Sequence, residues 1–349
     1  MSSPQQASSN GFINSAAERL AQYSARTESV NASQIIPLTP DASTRNYFRL
    51  PWKKGTAVAA VYPEPFDPEF HPYLDVTHLF READLPVPEI FAVDGEQGII
   101  VQEDLGDQQL FRFFESASED ECEEYKERAI GLIARIQKAT EKAYEMKSIA
   151  SRLAFDEPKL SWELNFFREH YFGSLRGEVL SHAEEAELKA ELNDIAADLA
   201  AVPRVLCHRD FHAANLLVDP KKRLRVIDHQ DARMGPASYD LVSLLLDRQA
   251  CSPSLAALRH HRLYLLEERR LLGLSSLDPD EFAREFRLVT VQRGLKATGT
   301  FAYQTAVCGR GETYEPLIKP WLEIVLQAAQ WLERFPVLRR MISARLSGN

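Results

Sequence analysis

The sequence predicts an α+β chain of two lobes, a small antiparallel-sheet lobe followed by a larger helical one. Three observations carry this. Short strand-type runs bounded by turn residues crowd into the first part of the chain, and helical spacing dominates after them. A length of 349 residues allows two cores. Within the helical part lies one hairpin of apolar strands, 205–230, whose polar flanks are residues that catalysis uses. The boundary is placed between 105 and 106. Residues 1–105 then form the sheet lobe, with 1–30 as a polar and helical extension, and 106–349 form the helical lobe.

The elements follow in order. Phe12, Ile13, Ala16, Leu20 and Tyr23 are spaced as one helical face, which would cap the first lobe. Ile35–Leu38, Asn46–Leu50 and Thr56–Tyr62 read as strands, the last two joined by a turn at Lys53-Lys54-Gly55. A helix over 67–84 ends where Leu85-Pro86-Val87-Pro88 forbids it. Ile90–Val93 and Gly98–Gln102 form a hairpin about Asp94-Gly95. Beyond Glu103-Asp104-Leu105-Gly106, helices are expected near 118–146, 159–175, 183–200, 237–248, 253–271, 279–305 and 315–345. Trp162, Phe166, Phe167 and Tyr171 share a helical face and read as core more readily than as a platform for a sugar.

Bulk properties exclude several classes. Hydrophobic content of 45% and charged content of 26% are those of an ordinary globular protein. A net charge of −10 is the wrong sign for a nucleic-acid binder, which needs a basic footprint. No apolar run has transmembrane length. The opening Met1-Ser2-Ser3-Pro4-Gln5-Gln6 lacks the basic and apolar regions of a secretory signal, so a cytoplasmic location is the expectation; a monomer is expected as well. Cys122, Cys207, Cys251 and Cys308 are too scattered for a zinc site or a disulfide framework. Cys207 reads as a buried thiol.

The most informative stretch is Cys207-His208-Arg209-Asp210-Phe211-His212-Ala213-Ala214-Asn215-Leu216-Leu217-Val218, followed by Val226-Ile227-Asp228-His229-Gln230-Asp231. Two Asp and one Asn at fixed separations around an apolar strand are what phosphoryl transfer needs. One carboxylate, Asp210, orients the attacking hydroxyl and accepts its proton. Asn215 and Asp228 supply the hard oxygens that hold Mg²⁺ on the phosphates of ATP. His208 is expected to hold the loop by hydrogen bonding. His212 either touches substrate or packs in the loop. Asp231 faces either the substrate or a salt bridge. Arg293 and Lys296 lie three apart on a helix and so share a face, either a solvated basic surface or partners for local acids, or else a cationic wall for an anionic substrate. Gly299, three further on, permits a close approach.

With these residues in view, the chain resembles the aminoglycoside phosphotransferase-like small-molecule kinases, relatives of the protein kinases. Within them it looks most like the bacterial kinases that phosphorylate N-acetylmuramate and N-acetylglucosamine on the anomeric hydroxyl in cell-wall recycling. The likeness runs from about Ile35 to Leu338. It rests on Asp41–Arg49, the loop 207–218, the block Asp228–Leu241 and the segment Gln292–Phe301. It implies a bilobal, protein-kinase-like fold and an ATP- and Mg²⁺-dependent sugar kinase. It also implies that Asp240 supports the backbone of the catalytic loop, and that Glu103-Asp104-Leu105 is the linker whose backbone meets the adenine.

Three departures stand out. Asp41–Arg49 takes the place of a glycine-rich phosphate loop yet contains no Gly. Its amides would have to form an anion nest, with Ser43 adding a hydroxyl. The strand 56–62 lacks the Lys that grips the nucleotide phosphates, so Arg45 or Arg49 is expected to supply that charge. Asp228-His229-Gln230 stands where protein kinases carry Asp-Phe-Gly, which suggests that no flipping segment switches the site. The competing readings are a kinase of another small hydroxylated molecule, such as choline, homoserine or an aminoglycoside, and a nucleotide-binding regulator without turnover.

Overall fold

The computed structural model describes residues 16–26, 32–38, 45–247 and 253–347. Their contacts group into two compact units. One holds the described residues up to Phe113 together with Leu216–Gln230, and the other holds Phe114–Asn215 and the described residues from Asp231 onward. Where the sequence reading draws one cut after 105, the hairpin 216–230 groups with the sheet.

In the first unit five strands form an antiparallel sheet in the order β1-β2-β3-β5-β4: β1 Ile36–Leu38, β2 Asn46–Trp52, β3 Gly55–Val61, β4 Ile90–Asp94 and β5 Ile99–Glu103. Alternation along β2 and β3 turns Phe48, Leu50, Trp52, Ala57, Ala59 and Val61 to one face. The helical residues 16–26 cover that face with Ala16, Leu20 and Tyr23. Arg19 ties them down, donating to the carbonyls of Gln97 at 2.8 Å and Tyr62 at 2.7 Å. Phe12 and Ile13, also assigned to that helical face, lie outside the described residues. The expected helix over 67–84 is shorter, Pro72–Glu82, because Pro68–Phe70 form a separate 3₁₀ turn and extended His71 caps the helix. β7 Leu216–Val218 and β8 Leu224–Val226 form a small hairpin in this unit. It joins the rest through Val218 N–H to the Gln108 carbonyl at 2.8 Å and Val226 N–H to the Pro86 carbonyl at 2.9 Å.

The second unit is helical. Glu119–Lys138 opens with a capping box between Ser118 and Glu121. The expected helix 159–175 divides into Glu157–Phe167 and a π-helical stretch, Arg168–Leu175. The expected helix 315–345 breaks at Pro336, which starts Pro336–Ser347 after Ile318–Trp331. The helix Pro279–Ala306 runs 28 residues through the unit, and Leu288–Leu295 are buried without interruption. Gly299 lies against another backbone, since a Cβ there would meet Phe167 Cα at 2.7 Å and Phe167 N at 2.8 Å. Of the aromatic face on Glu157–Leu175, Phe167 and Tyr171 are buried while Trp162 is exposed. β6 Val205–Cys207 pairs antiparallel with β9 Arg233–Gly235, with Cys207 opposite Arg233. That pairing brings residues 208–210 alongside Asp231.

Candidate active site

In the helical unit the loop after β6 is held by one buried carboxylate. Asp240, on the buried helix Tyr239–Leu246, accepts the His208 backbone N–H at 2.7 Å and the Arg209 N–H at 2.9 Å, one on each oxygen. Burial raises its carboxyl above the usual range, against the opposing pull of His208 and the two amides. The loop requires such a clamp, because Arg209 has φ +86°. Left-handed backbone at a non-glycine costs about 1–3 kcal/mol, and hydrogen bonds to a charged acceptor return about 1.5–3 kcal/mol each. The buried His208 ring packs edge-on against Phe211, their centroids 5.6 Å apart.

Asp210 follows at the crest of the loop with its side chain 25% exposed. Three cations converge on it. Arg209 Nη1 lies 3.6 Å from Oδ2, and Arg293 Nη2 and Lys296 Nζ lie 3.4 Å and 3.6 Å from Oδ1. Burial alone would push the carboxyl up, but Lys296, Arg209, Arg293 and His212 together hold it well below the ordinary carboxylate range. It is therefore ionised throughout the neutral range, and a carboxylate in that state accepts a hydrogen bond from a hydroxyl and aims it. The loop closes on itself. The His212 N–H meets the Asp210 carbonyl at 3.0 Å, the Asn215 N–H meets the His212 carbonyl at 2.8 Å, and Asn215 Nδ2 donates to the Asp210 carbonyl at 3.0 Å. With Nδ2 so engaged, the atom Asn215 can offer a metal is its amide oxygen.

Arg293 is 2% exposed, so of the three alternatives neither the solvated face nor the open substrate wall describes it; it is a partner for acids. Its guanidinium is shared among the Asp247 carboxylate, the Ser243 hydroxyl at 2.7 Å and the Arg209 carbonyl at 2.8 Å, besides Asp210. It braces the loop from inside the unit. Lys296, 22% exposed, is the member of the pair that faces outward. Asp231 pairs with Arg209 at 3.0 Å and Arg233 at 3.4 Å, so the salt-bridge alternative describes its position.

In the sheet unit Asp228 follows β8 with φ +62° and a side chain 42% exposed. Gln230 Nε2 donates to its Oδ1 at 2.8 Å, and Arg45 Nη2 lies 3.6 Å from the same oxygen. The next residue is an anchor. His229 is fully buried, meets Thr77 Oγ1 at 2.7 Å and stacks on Tyr73 and Phe80. Arg45 lies over the rings of Tyr47 and Tyr62. Burial opposes its charge, yet these tyrosines and Asp228 raise its pKa further.

Arg49, the other candidate for the missing lysine, is already engaged. It meets Asp104 at 2.7 Å and Asp107 at 2.7 Å, and its side-chain hydrogen bonds to Asp107 and Asp104 raise its pKa. Glu103 likewise spends its carboxylate on Arg225 at 2.5 Å and its N–H on the Glu89 carbonyl at 2.8 Å. Leu105 is buried. Ser43 lies outside the described residues. Sequence reasoning missed Asp247, Ser243 and Tyr62. Asp247 is an acid at the end of an apolar helical run, which was the available signal for a buried charge partner. Tyr62 and Ser243 gave none.

The profile of the "Phosphotransferase enzyme family" matches residues 34–274. The N-acetylmuramate/N-acetylglucosamine kinase of Neisseria meningitidis serogroup B is 30% identical over 299 residues, 83% of this chain and 84% of that one. The Pseudomonas aeruginosa protein of the same name is 31% identical over 277 residues, 78% and 77% of the two chains. Among solved structures, a choline kinase of Streptococcus pneumoniae superposes with a TM-score of 0.56 at 12% identity, covering 91% of this chain and 99% of that one. A macrolide 2′-phosphotransferase of Brachybacterium faecium gives a TM-score of 0.55 at 16% identity, covering 87% and 97%. At such identities the likeness shows the fold, that of small-molecule kinases.

Proposed function

Because this chain belongs to the phosphotransferase enzyme family, we propose that it transfers the γ-phosphoryl group of ATP to the anomeric hydroxyl of N-acetylmuramate and N-acetylglucosamine. The observation that carries the chemistry is Asp210, held ionised by Lys296, Arg209 and Arg293 on a loop clamped by Asp240. The substrate class rests on the two relatives so named. It is also favoured by the cations around Asp210, which would repel a polycationic acceptor such as an aminoglycoside.

In this reading Asp210 accepts the hydrogen bond of the sugar's anomeric O–H and aligns its oxygen. As the O–P bond forms, the proton passes to the carboxylate and ADP leaves. A carboxylate with a low pKa is a weak base, but an anomeric hydroxyl is more acidic than an ordinary alcohol. In a loose transition state, alignment contributes more than basicity. Asn215 and Asp228 offer an amide oxygen and a carboxylate, the hard donors that Mg²⁺ prefers, and are its proposed ligands. That ion would neutralise charge on the phosphates. Arg45, beside Asp228, is the proposed substitute for the missing lysine; the Ser43 hydroxyl is proposed for the phosphates and the Glu103–Leu105 backbone for the adenine. Lys296 lies close enough to Asp210 to meet either the transferred phosphoryl group or a sugar carboxylate. His212 borders the acceptor, and Asp231 holds Arg209. Arg293 and Asp240 act through the loop and are positioning residues. The setting proposed is a cytoplasmic monomer; among the described residues no helix is long and apolar enough to cross a membrane.

The test is ADP release with ATP and Mg²⁺ across N-acetylmuramate, N-acetylglucosamine, glucose, choline, homoserine and kanamycin. Turnover with the two N-acetyl sugars, giving an acid-labile phosphate, is the expected result. Turnover confined to choline, homoserine or kanamycin would replace the substrate. ATP binding without any turnover would favour the regulator.

A further inference from the structure

The helical unit contains a cleft of about 290 Å³ whose lining includes none of the residues assigned to phosphoryl transfer. Leu246, Phe286 and Ile324 give it an apolar wall, and half-exposed Trp331 stands at its rim. Two guanidiniums line it as well. Arg262 lies over the Phe286 ring, 5.3 Å from its centroid, and Arg287 over the Trp331 ring, 3.2 Å away.

Several other arginines of the unit hold a carboxylate. Arg345 is paired with Glu178, Arg334 with Asp198, and Arg293 with Asp247. Among the described residues no carboxylate lies within ion-pair distance of Arg262 or Arg287. The one hydrogen bond shown for either is from Arg287 Nη1 to the Ala283 carbonyl at 2.8 Å. Both pay for this. Burial and then repulsion from Arg262 pull Arg287 down to about 10. Burial and repulsion from Arg259 lower Arg262. A half-buried cation pair without an anion is unfavourable, because desolvation and like-charge repulsion both act against it. An anion placed on them would relieve both effects and accept charge-assisted hydrogen bonds. The apolar wall beside them specifies the rest of the ligand, and the volume is at the small end of ligand clefts.

We propose that this cleft is a binding site for a small amphipathic anion, its apolar body against Leu246, Phe286 and Ile324 and its anionic head on Arg262 and Arg287. The site is additional to the kinase reading and does not depend on it.

Isothermal titration with decanoate, kept below its micellar range, is the direct test, with 1-decanol as the uncharged counterpart. Saturable decanoate binding is expected, with decanol at least about tenfold weaker, as loss of charged hydrogen bonds implies. The double variant Arg262→Gln/Arg287→Gln should weaken decanoate by about the same factor. A cooperative thermal transition shows that the double variant is folded. Equal binding of decanol and decanoate to the parent would overturn the proposal, as would undiminished decanoate binding by the folded double variant. No binding at millimolar decanoate would also end it.

Discussion

Arg293→Ala separates a residue that braces the catalytic loop from one that touches the sugar. The side chain is 2% exposed and its donors are spent on Asp247, Ser243, the Arg209 carbonyl and Asp210. Truncation strands Asp247, itself 11% exposed, as a buried charge without its cation. Removing one partner of such a pair costs about 3–5 kcal/mol, a large share of the roughly 5–15 kcal/mol that holds a domain folded. Adding Asp247→Asn removes the stranded charge. The double variant should therefore lose less than the sum of the singles, by about 0.5–3 kcal/mol. Urea unfolding of the four proteins measures this. In steady-state assays kcat should fall by a similar factor with N-acetylmuramate and N-acetylglucosamine, because a brace cannot tell an acidic sugar from a neutral one. An unchanged urea midpoint, together with a KM rise confined to N-acetylmuramate, would refute the reasoning and restore Arg293 as a substrate contact.

Other outcomes follow from the same geometry. Asp210→Asn should lower turnover by several orders of magnitude while ATP affinity, measured by calorimetry, is nearly retained; unchanged turnover would remove it as the base. Lys296→Met takes away the largest influence that lowers the Asp210 carboxyl. A carboxylate that loses a cation is harder to ionise, so the acid limb of kcat/KM should move to higher pH. A limb that stays put or moves the other way would show that Asp210 does not titrate in it. The depressed carboxyl also contributes folding stability above its unfolded pKa, near 3.9, and that contribution is lost as pH falls through the folded value. Gly299→Ala sets two effects against each other. Helix propensity favours Ala by about 1 kcal/mol, but the new Cβ would lie 2.7 Å from Phe167 Cα, an overlap worth about 1–3 kcal/mol. The thermal midpoint should fall, and a rise would show that the two helices stand further apart.

What the sequence disclosed was local. The alternation in 46–62 and the prolines at 86 and 88 mark elements whose causes lie within a few residues. The 207–231 stretch likewise carries its chemistry in its own spacing. What stayed hidden depended on residues remote in the chain. Nothing near Arg293 shows that Asp247 and Ser243 of another helix take its guanidinium. Nothing near Arg49 shows that Asp104 and Asp107, more than fifty residues on, have already claimed it. A positive residue reads as available until its partners are known. The break at Pro336 was legible in principle, since a proline inside a helical pattern ends it, but the apolar spacing on both sides masked it.

The helix Pro279–Ala306 has a consequence for how this lineage can vary. From Leu288 to Gly299 every position but Lys296 is buried, on all sides of the helix, and the stretch includes Thr290, Gln292, Arg293 and Thr298 as well as apolar residues. Gln292 meets Glu163 at 2.8 Å and Gly299 abuts Phe167, so neighbouring helices are fitted to these side chains one by one. Little neutral drift is open to such a segment, because an exchange at one position demands a matching exchange elsewhere. New acceptor preferences would arise more easily at outward-facing positions such as Lys296, or on the helices that reach solvent, with this rod inherited almost intact.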